Sequence, residues 1–387
     1  MKIIRMNIVD VGGIQSLSLN FNDRMNLLCG PNGIGKTTIL ESIAHLFYNG
    51  QTLILKRNVA SETSKIIAEV DLEGVNESIE INLNTFIPEE PSIISGLIKR
   101  TSGLFSLKTQ RTFQYQSLQA VTRDSDKNNQ ILWNDAIFGI NLSEIKNWFV
   151  NRYLYSAHKE ALSIQQLNNF ELAKKCFSLL NKDFSFSKVS ASSNEILINT
   201  PNGEIYYEYL SSGFKSIISI LFGIIKEIEY RFKEPNINAE DFKGIILIDE
   251  IELHLHPEWQ GKILEILLEV FPKAQFFAST HSPHVIQTAE PQQIIALGLD
   301  NNTVIQRELP SSEFGFQGWT IEEILSDVMG MNNLRTDVFK EQLSEFDKAI
   351  EEENPEKAEK IFNKLDILLH PKNNLRKLLK FQIAGIR

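Results

Sequence analysis

The sequence predicts an α/β fold with a mixed central sheet, an inserted α+β lobe and a C-terminal helical segment. Three observations predict it. MNLLC-GPNGIGK-TTILESIAHLF places a short apolar strand, a glycine-rich turn and an amphipathic helix in direct succession. GIILIDE is an all-apolar run ending in acids, the pattern of a central parallel strand buried on both faces. From about Leu210 the chain alternates helix, strand, helix, strand, as parallel α/β units do.

Taken in order, KIIRMNIV, SLSLNF and MNLLC read as strands, punctuated by turns at Gly12-Gly13 and Asn22-Asp23. The helix after Lys36 carries Ile39, Leu40, Ile43, Leu46 and Phe47 at helical spacing and is expected to stop at Gly50. Residues 51–204 change character. KIIAEVDL and SIEINLN are strand-like, and Thr109–Gln130 is polar and irregular. Helical patterns run through Leu142–Val150 and Asn168–Leu180, and NEILINT-PNG-EIYYEY reads as a hairpin turning at Pro201-Asn202-Gly203. Ser212–Phe232 sets Ile217, Ile218, Leu221, Ile225 and Ile228 on one helical face, and Pro257–Phe271 does the same with Trp259, Ile263, Ile266, Leu267 and Val270. QFFAST is a second buried strand. Beyond about Gly318 the pattern is helical: Thr320 and Glu323 form a capping box, and Asn354-Pro355 opens a helix. Phe346, Ala349 and Ile350 face Ile361, Phe362 and Leu365 as a helical hairpin. Between about residues 51 and 207 neither heptads nor an internal repeat is sustained.

With 387 residues, 42% of them hydrophobic and 23% charged, the chain has an ordinary globular composition. Its longest central apolar run, Ile217–Ile225, is too short to cross a bilayer, and the N-terminus lacks the pattern of a signal peptide. Two cysteines without a CxxC argue against a disulfide framework or a cysteine zinc site and fit a reducing cytoplasm. The net charge of −10 does not attract nucleic acid to the chain as a whole. The densest basic stretch, Lys99, Arg100, Lys108 and Arg111, is expected to be a solvated surface.

The strongest chemical signal is Gly30-Pro31-Asn32-Gly33-Ile34-Gly35-Lys36-Thr37-Thr38, which fits GxxxxGK[ST] between a strand and a helix. Glycines let backbone N–H groups curl around phosphate, and the helix start adds partial positive charge. Lys36 would reach the β- and γ-phosphates of ATP, and Thr37 would ligate Mg²⁺. GIILIDE supplies the acidic complement: Asp249 as a Mg²⁺ ligand and Glu250 as the base that polarises the attacking water. His281, just beyond QFFAST, is the candidate sensor of the terminal phosphate. His254 and His256 in LHLHP lack a third ligand, so no metal is expected there or at His284. Leu210-Ser211-Ser212-Gly213-Phe214 precedes a helix and reads as a second anion-binding helix start.

Together, GPNGIGKTT, LSSGFKS, LIDEIELHLHP and ASTHSPH resemble the ABC-type ATPases, in their SMC-, RecF- and OLD-like soluble branch. The match covers roughly residues 1–50 and 205–310. The resemblance implies a discontinuous ATPase head of those two segments, an inserted α+β lobe at 51–204 and a helical hairpin segment at 311–387. It also implies a homodimer or higher homo-oligomer in which Ser211, Ser212 and Gly213 act on ATP held by the partner. Phe214 departs from the glutamine or glutamate usual after the signature, and Val11-Gly12-Gly13 replaces an arginine-containing turn. Gln114 and Gln116 are candidates for the glutamine that ligates Mg²⁺.

The function classes divide on the flanking segments. The strand-rich insert argues against a transporter engine. The absence of a long coiled coil and of a CxxC hook argues against a chromosome-structure head. The tail after His281 carries no DxD, so no nuclease activity of its own is expected. GWTIEEILSDVMGM and the helices ending LLHPKNNLRKLL are similar to the ATPases of bacterial anti-phage systems, the Septu and retron-linked types. That similarity implies a slow cytoplasmic ATPase that scaffolds or restrains a separate effector, often an HNH-type nuclease, with nucleic acid reached through the complex. The alternative is a RecF-like repair ATPase that binds DNA in an ATP-dependent way.

Overall fold

The computed structural model describes residues 1–386 except 110–114, 116, 311, 313, 332 and 333. Strand β1 (Lys2–Val11) turns at Gly12-Gly13 into β2 (Ile14–Asn20), and β3 (Met25–Cys29) follows. A register shift between Ile3 and Arg5 brings both Ile3 and Met6 inward. Helix α1 (Lys36–His45) ends earlier than its apolar spacing suggests. The carbonyls of Leu46 and Tyr48 are taken by the N–H groups of Leu97 and Gly96, and Gly50 falls in β4 (Asn49–Thr52).

Residues 51–204, expected as a lobe, are shared out among several sheets. Strands β5 (Ser64–Leu72) and β6 (Val75–Leu83) join the first hairpin in a four-stranded antiparallel sheet, β2-β1-β5-β6. Strand β7 (Ser92–Ser95) pairs with β4. Strand β8 (Leu104–Leu107) enters the main sheet beside the acidic strand. Helices α2 (Asn129–Phe138), α3 (Ile145–Ser156) and α4 (Ile164–Leu180) follow, the last opened by a Ser163–Gln166 capping box. β9 (Ser185–Val189), β10 (Ile196–Thr200) and β11 (Gly203–Tyr206) form a small antiparallel sheet, with the expected hairpin closing on the Thr200–Gly203 pair.

Helix α5 (Ser212–Arg231) leads to β12 (Ile245–Ile248). The predicted helix from Pro257 is broken at Gly261 into α6 (Pro257–Gln260) and α7 (Ile263–Val270), since glycine is a poor helix-interior residue. β13 (Gln275–Ser279), α8 (Pro283–Thr288), β14 (Ile294–Asp300), β15 (Thr303–Gln306) and the short α9 (Ile321–Glu323) complete this part of the chain. The main sheet runs β15-β14-β3-β13-β12-β8, parallel except for β15. Alternation decides both faces of it. Met25, Leu27, Cys29, Ile246 and Ile248 pack towards α3, α4, α5 and α7, while Leu28, Ile245 and Leu247 pack towards α1 and the antiparallel sheet. Among the described residues no helix is long and apolar enough to cross a membrane.

Residues Met1–Gly330 form one compact unit and Met331–Arg387 a second, so the helical unit begins after Gly330 rather than at 311. Residues before Gly330 belong with the larger unit because Phe316, Ile324, Val328 and Met329 are buried in its core. The second unit packs α10 (Asp337–Glu351) on α11 (Pro355–Leu368) through Phe346, Ala349, Phe362 and Leu365, and α12 (Leu375–Gly385) closes it with Leu379 and Ile383.

Candidate functional site

The C-terminal ends of β3, β13, β12 and β8 lie side by side, so the segments that leave them meet at one edge of the sheet. Gly30, Gly33 and Gly35 in the loop after β3 have φ of +142°, +75° and +105°. Gly30 is obligatory for a second reason: a β-carbon there would stand 2.6 Å from the carbonyl oxygen of Leu297. The first helical hydrogen bond of α1 runs from Ile39 N–H to Gly35 O, which leaves the amides of Lys36, Thr37 and Thr38 outside the helical ladder. Lys36 is buried, and its Nζ donates to the carbonyls of Gly30 at 2.9 Å and Pro31 at 3.0 Å. Burial lowers its pKa, while Cys29, Glu252, Asp249 and Glu250 pull the other way.

Across from it, Asp249 follows β12, with both carboxylate oxygens 3.4 Å from Thr37 Oγ1. Ser279 ties the acidic turn together. Its hydroxyl donates to Asp249 Oδ1 at 2.5 Å and accepts from Glu250 N–H at 2.7 Å. Glu250 adopts φ +49°, a left-handed conformation uncommon for a residue with a side chain and most frequent where a structure over-determines it. Glu252 accepts from Thr280 Oγ1 at 2.7 Å and from His281 N–H at 2.5 Å. The His281 ring is exposed. Its pKa is lowered by partial burial and by Lys36, against the pull of Glu252, Glu250 and Asp249. The fold thus brings Lys36, Thr37, Asp249, Glu250 and His281 together. Ser279 and Glu252, which sequence reasoning did not single out, hold them in place; both lie inside ASTH and LIDEIE, beside the residues that drew attention.

Ser211, Ser212 and Gly213 are placed elsewhere. Ser211 caps α5, accepting from Phe214 N–H at 3.3 Å, and both serines are exposed. A β-carbon on Gly213 would stand 3.3 Å from His254 O and 3.6 Å from His256 N, so this helix start packs directly on the loop that follows Glu250. Among the described residues no hydrogen bond or ion pair joins these three to the phosphate loop. His256 serves as the N-cap of α6, and no cluster of three or more His, Cys, Asp or Glu suited to a metal occurs among the described residues. Gln114, Gln116 and Arg111 lie outside the described residues, and Lys108 is ion-paired to Glu41 at 2.5 Å.

Phe214 has a structural explanation. It is 3% exposed, and its ring meets Phe177, Phe184 and Trp259 at centroid distances of 6.4, 5.4 and 5.8 Å. Truncating it (Phe214→Ala) is expected to lower unfolding stability by about 3–5 kcal/mol, read from the urea midpoint.

A strand–glycine loop–helix with a facing Thr–Asp pair at the carboxyl edge of a parallel sheet defines the P-loop ATPase class. In agreement, the family described as "AAA domain, putative AbiEii toxin, Type IV TA system" matches residues 25–287. The chain belongs to the Septu PtuA family: it is 45% identical to the Septu protein PtuA of Bacillus thuringiensis over 386 residues, 99% of this chain and 98% of that one. It is also 32% identical over 165 residues to the retron Ec83 probable ATPase of Escherichia coli, covering 40% of this chain and 30% of that protein. Among solved structures, the SMC head domain from Thermotoga maritima aligns with 80% of this chain and 100% of its own, at a TM-score of 0.49 and 15% identity.

Proposed function

We propose that the protein binds ATP with Mg²⁺, pairs two copies around two nucleotides, hydrolyses the ATP slowly, and through that cycle scaffolds or restrains a separate effector in bacterial anti-phage defence. The convergence of Lys36, Thr37, Asp249 and Glu250 on one sheet edge carries this reading. The donors facing each other, a threonine hydroxyl and a carboxylate held by Ser279, are the hard oxygens that suit Mg²⁺. When bound there, Mg²⁺ would supply positive charge to offset the negative charge on the phosphate oxygens.

The remaining steps belong to this chain's own residues. Lys36 exchanges the carbonyls of Gly30 and Pro31 for phosphate oxygens, trading neutral acceptors for charged ones. Ser279 fixes the orientation of Asp249 and, through the Glu250 N–H, the direction of the Glu250 side chain. Glu250 takes the proton of the attacking water. His281 offers its ring to the terminal phosphate. Ser211 and Ser212, both exposed, with the buried Gly213 behind them at the start of α5, meet the nucleotide of the second copy, and the pair is isologous by symmetry. ATP favours the closed pair through these contacts alone, because a ligand shifts an equilibrium only by its differential affinity.

The separate effector is expected to be a nuclease, as the resemblance to the Septu- and retron-type ATPases implies. The test combines two measurements on the full chain. Sizing chromatography should show the mass doubling with ATP and Mg²⁺, and a tagged chain expressed with its neighbouring genes should co-purify with a nuclease. Unchanged mass would overturn the pairing; ATP-dependent, salt-sensitive DNA binding by the chain alone would favour a repair role instead.

A further inference from the structure

Arg307 lies outside every motif, yet the fold carries it to the phosphate loop. Its backbone N–H, just past β15, donates to Ala296 O of β14 at 2.8 Å. From there its stem crosses Gly298, where a β-carbon would come within 2.4 Å of Arg307 Cδ. At the far end, a β-carbon on Gly330 would stand 3.1 Å from Arg307 Nη1 and 3.4 Å from Pro31 Cγ. Two glycines therefore clear a slot that leads the guanidinium from the sheet to the flank of the loop.

The partners of Arg307 set it apart. The other buried or half-buried arginines described in the larger unit are all tied to oxygen. Arg57 donates to the carbonyls of Asn84 and Asn58, Arg152 to Glu229 and Asp124, and Arg231 to Glu227, Asp135 and Leu104 O. Arg307 is half-buried as well, but its guanidinium makes no hydrogen bond or ion pair among the described residues. A half-buried cation without an acceptor loses hydration and regains nothing unless an anion arrives. The thiol of Cys29 places it further: burial pushes that group up to about 12, opposed by the fields of both Lys36 and Arg307. Both cations are therefore close to the last residue of β3.

We propose that Arg307 is a further nucleotide-binding residue, a second cation that contacts the terminal phosphate of a triphosphate held by the loop. This rests on the reading of the loop as an ATP site. The terminal phosphate is singled out because Arg307 flanks Pro31, whose carbonyl holds the Lys36 ammonium at 3.0 Å, and the lysine of this motif serves the β- and γ-phosphates. Guanidinium suits the role, since its planar fork binds two phosphate oxygens at once.

The test is calorimetric titration of the full chain with ATPγS and with ADP, each with Mg²⁺. For Arg307→Ala the affinity for ATPγS should fall roughly tenfold while that for ADP stays within about twofold. Arg307→Lys should recover part of the loss, and both variants should melt as the unchanged chain does. An equal fall for both nucleotides, or no fall for either, overturns the proposal. So does an Arg307→Ala chain that binds ATPγS normally yet no longer pairs in sedimentation, because the cation would then serve the second copy. A parent chain that binds neither nucleotide overturns the ATP reading itself and this proposal with it.

Discussion

Replacing Glu250 by glutamine should leave ATP binding intact and slow phosphate release by roughly 100- to 10,000-fold, the range lost with a general base. The substitution changes one carboxylate oxygen to an amide and leaves the turn alone. That turn is held by backbone groups: Glu250 N–H on Ser279 Oγ at 2.7 Å, and Ile251 N–H on Ser279 O at 3.0 Å. Thr37 and Asp249 keep their geometry, so the metal site and the loop are undisturbed. Binding without turnover has a physical readout of its own. In the proposed cycle paired heads return to single chains on hydrolysis, so Glu250→Gln should accumulate at doubled mass in sizing chromatography with ATP. Glu252 supplies the control. Its two oxygens are already engaged by Thr280 and by His281 N–H, which suits a positioning role. If Glu252→Gln slowed phosphate release more than Glu250→Gln, the base would have been assigned to the wrong carboxylate.

The parts of this fold that the sequence announces are those where local chemistry leaves little choice. A phosphate-type loop needs glycines at fixed places, and Gly30 and Gly35 stand where left-handed or mirror backbone is required. A strand buried on both faces must be apolar throughout, which makes IILI legible. What the sequence hides is pairing at a distance. LFSL reads as any short strand, and nothing local says that β8 lies beside β12, so residues 51–204 looked more separate than they are. The ends of α1 and α6 depart from their apolar spacing for a related reason. Apolar spacing continues past both, but Gly96 and Leu97 compete for the carbonyls at the first, and Gly261 interrupts the second. Partnerships of polar residues are equally invisible. Ser279 is a small residue at a strand end until Asp249 and Glu250 close on it. Glu229 is one acid among many in a helix until Arg152 and Trp148 bond it in the core at 2.6 and 2.9 Å. Gly213 shows the same limit at the site. The motif accounts for a glycine by close approach to phosphate, whereas within one chain its neighbour is the His254 carbonyl.

That packing decides how pairing should be probed. Any side chain at Gly213 would press on the backbone of residues 254–256 within its own head, so a loss of pairing there would be ambiguous. Ser211 is the cleaner position. It is exposed, sits in extended backbone at φ −58° and ψ 154°, and among the described residues its side chain makes a single hydrogen bond, the cap on Phe214 N–H. Ser211→Arg gives up that cap, at a cost of about 1 kcal/mol, from a helix anchored by an almost wholly buried length. The single chain should therefore fold and bind ATP as before. Pairing should vanish, because a long cation would occupy the surface that receives the second copy's nucleotide. The sharpest form of the experiment adds Ser211→Arg to Glu250→Gln. The double variant should elute with ATP as a single chain where Glu250→Gln alone elutes as a pair. If it still paired, Ser211 would lie outside the interface. If the single chain lost its own affinity for ATP, the serine would belong to the nucleotide site of its own head, and the two-copy site would have to be abandoned.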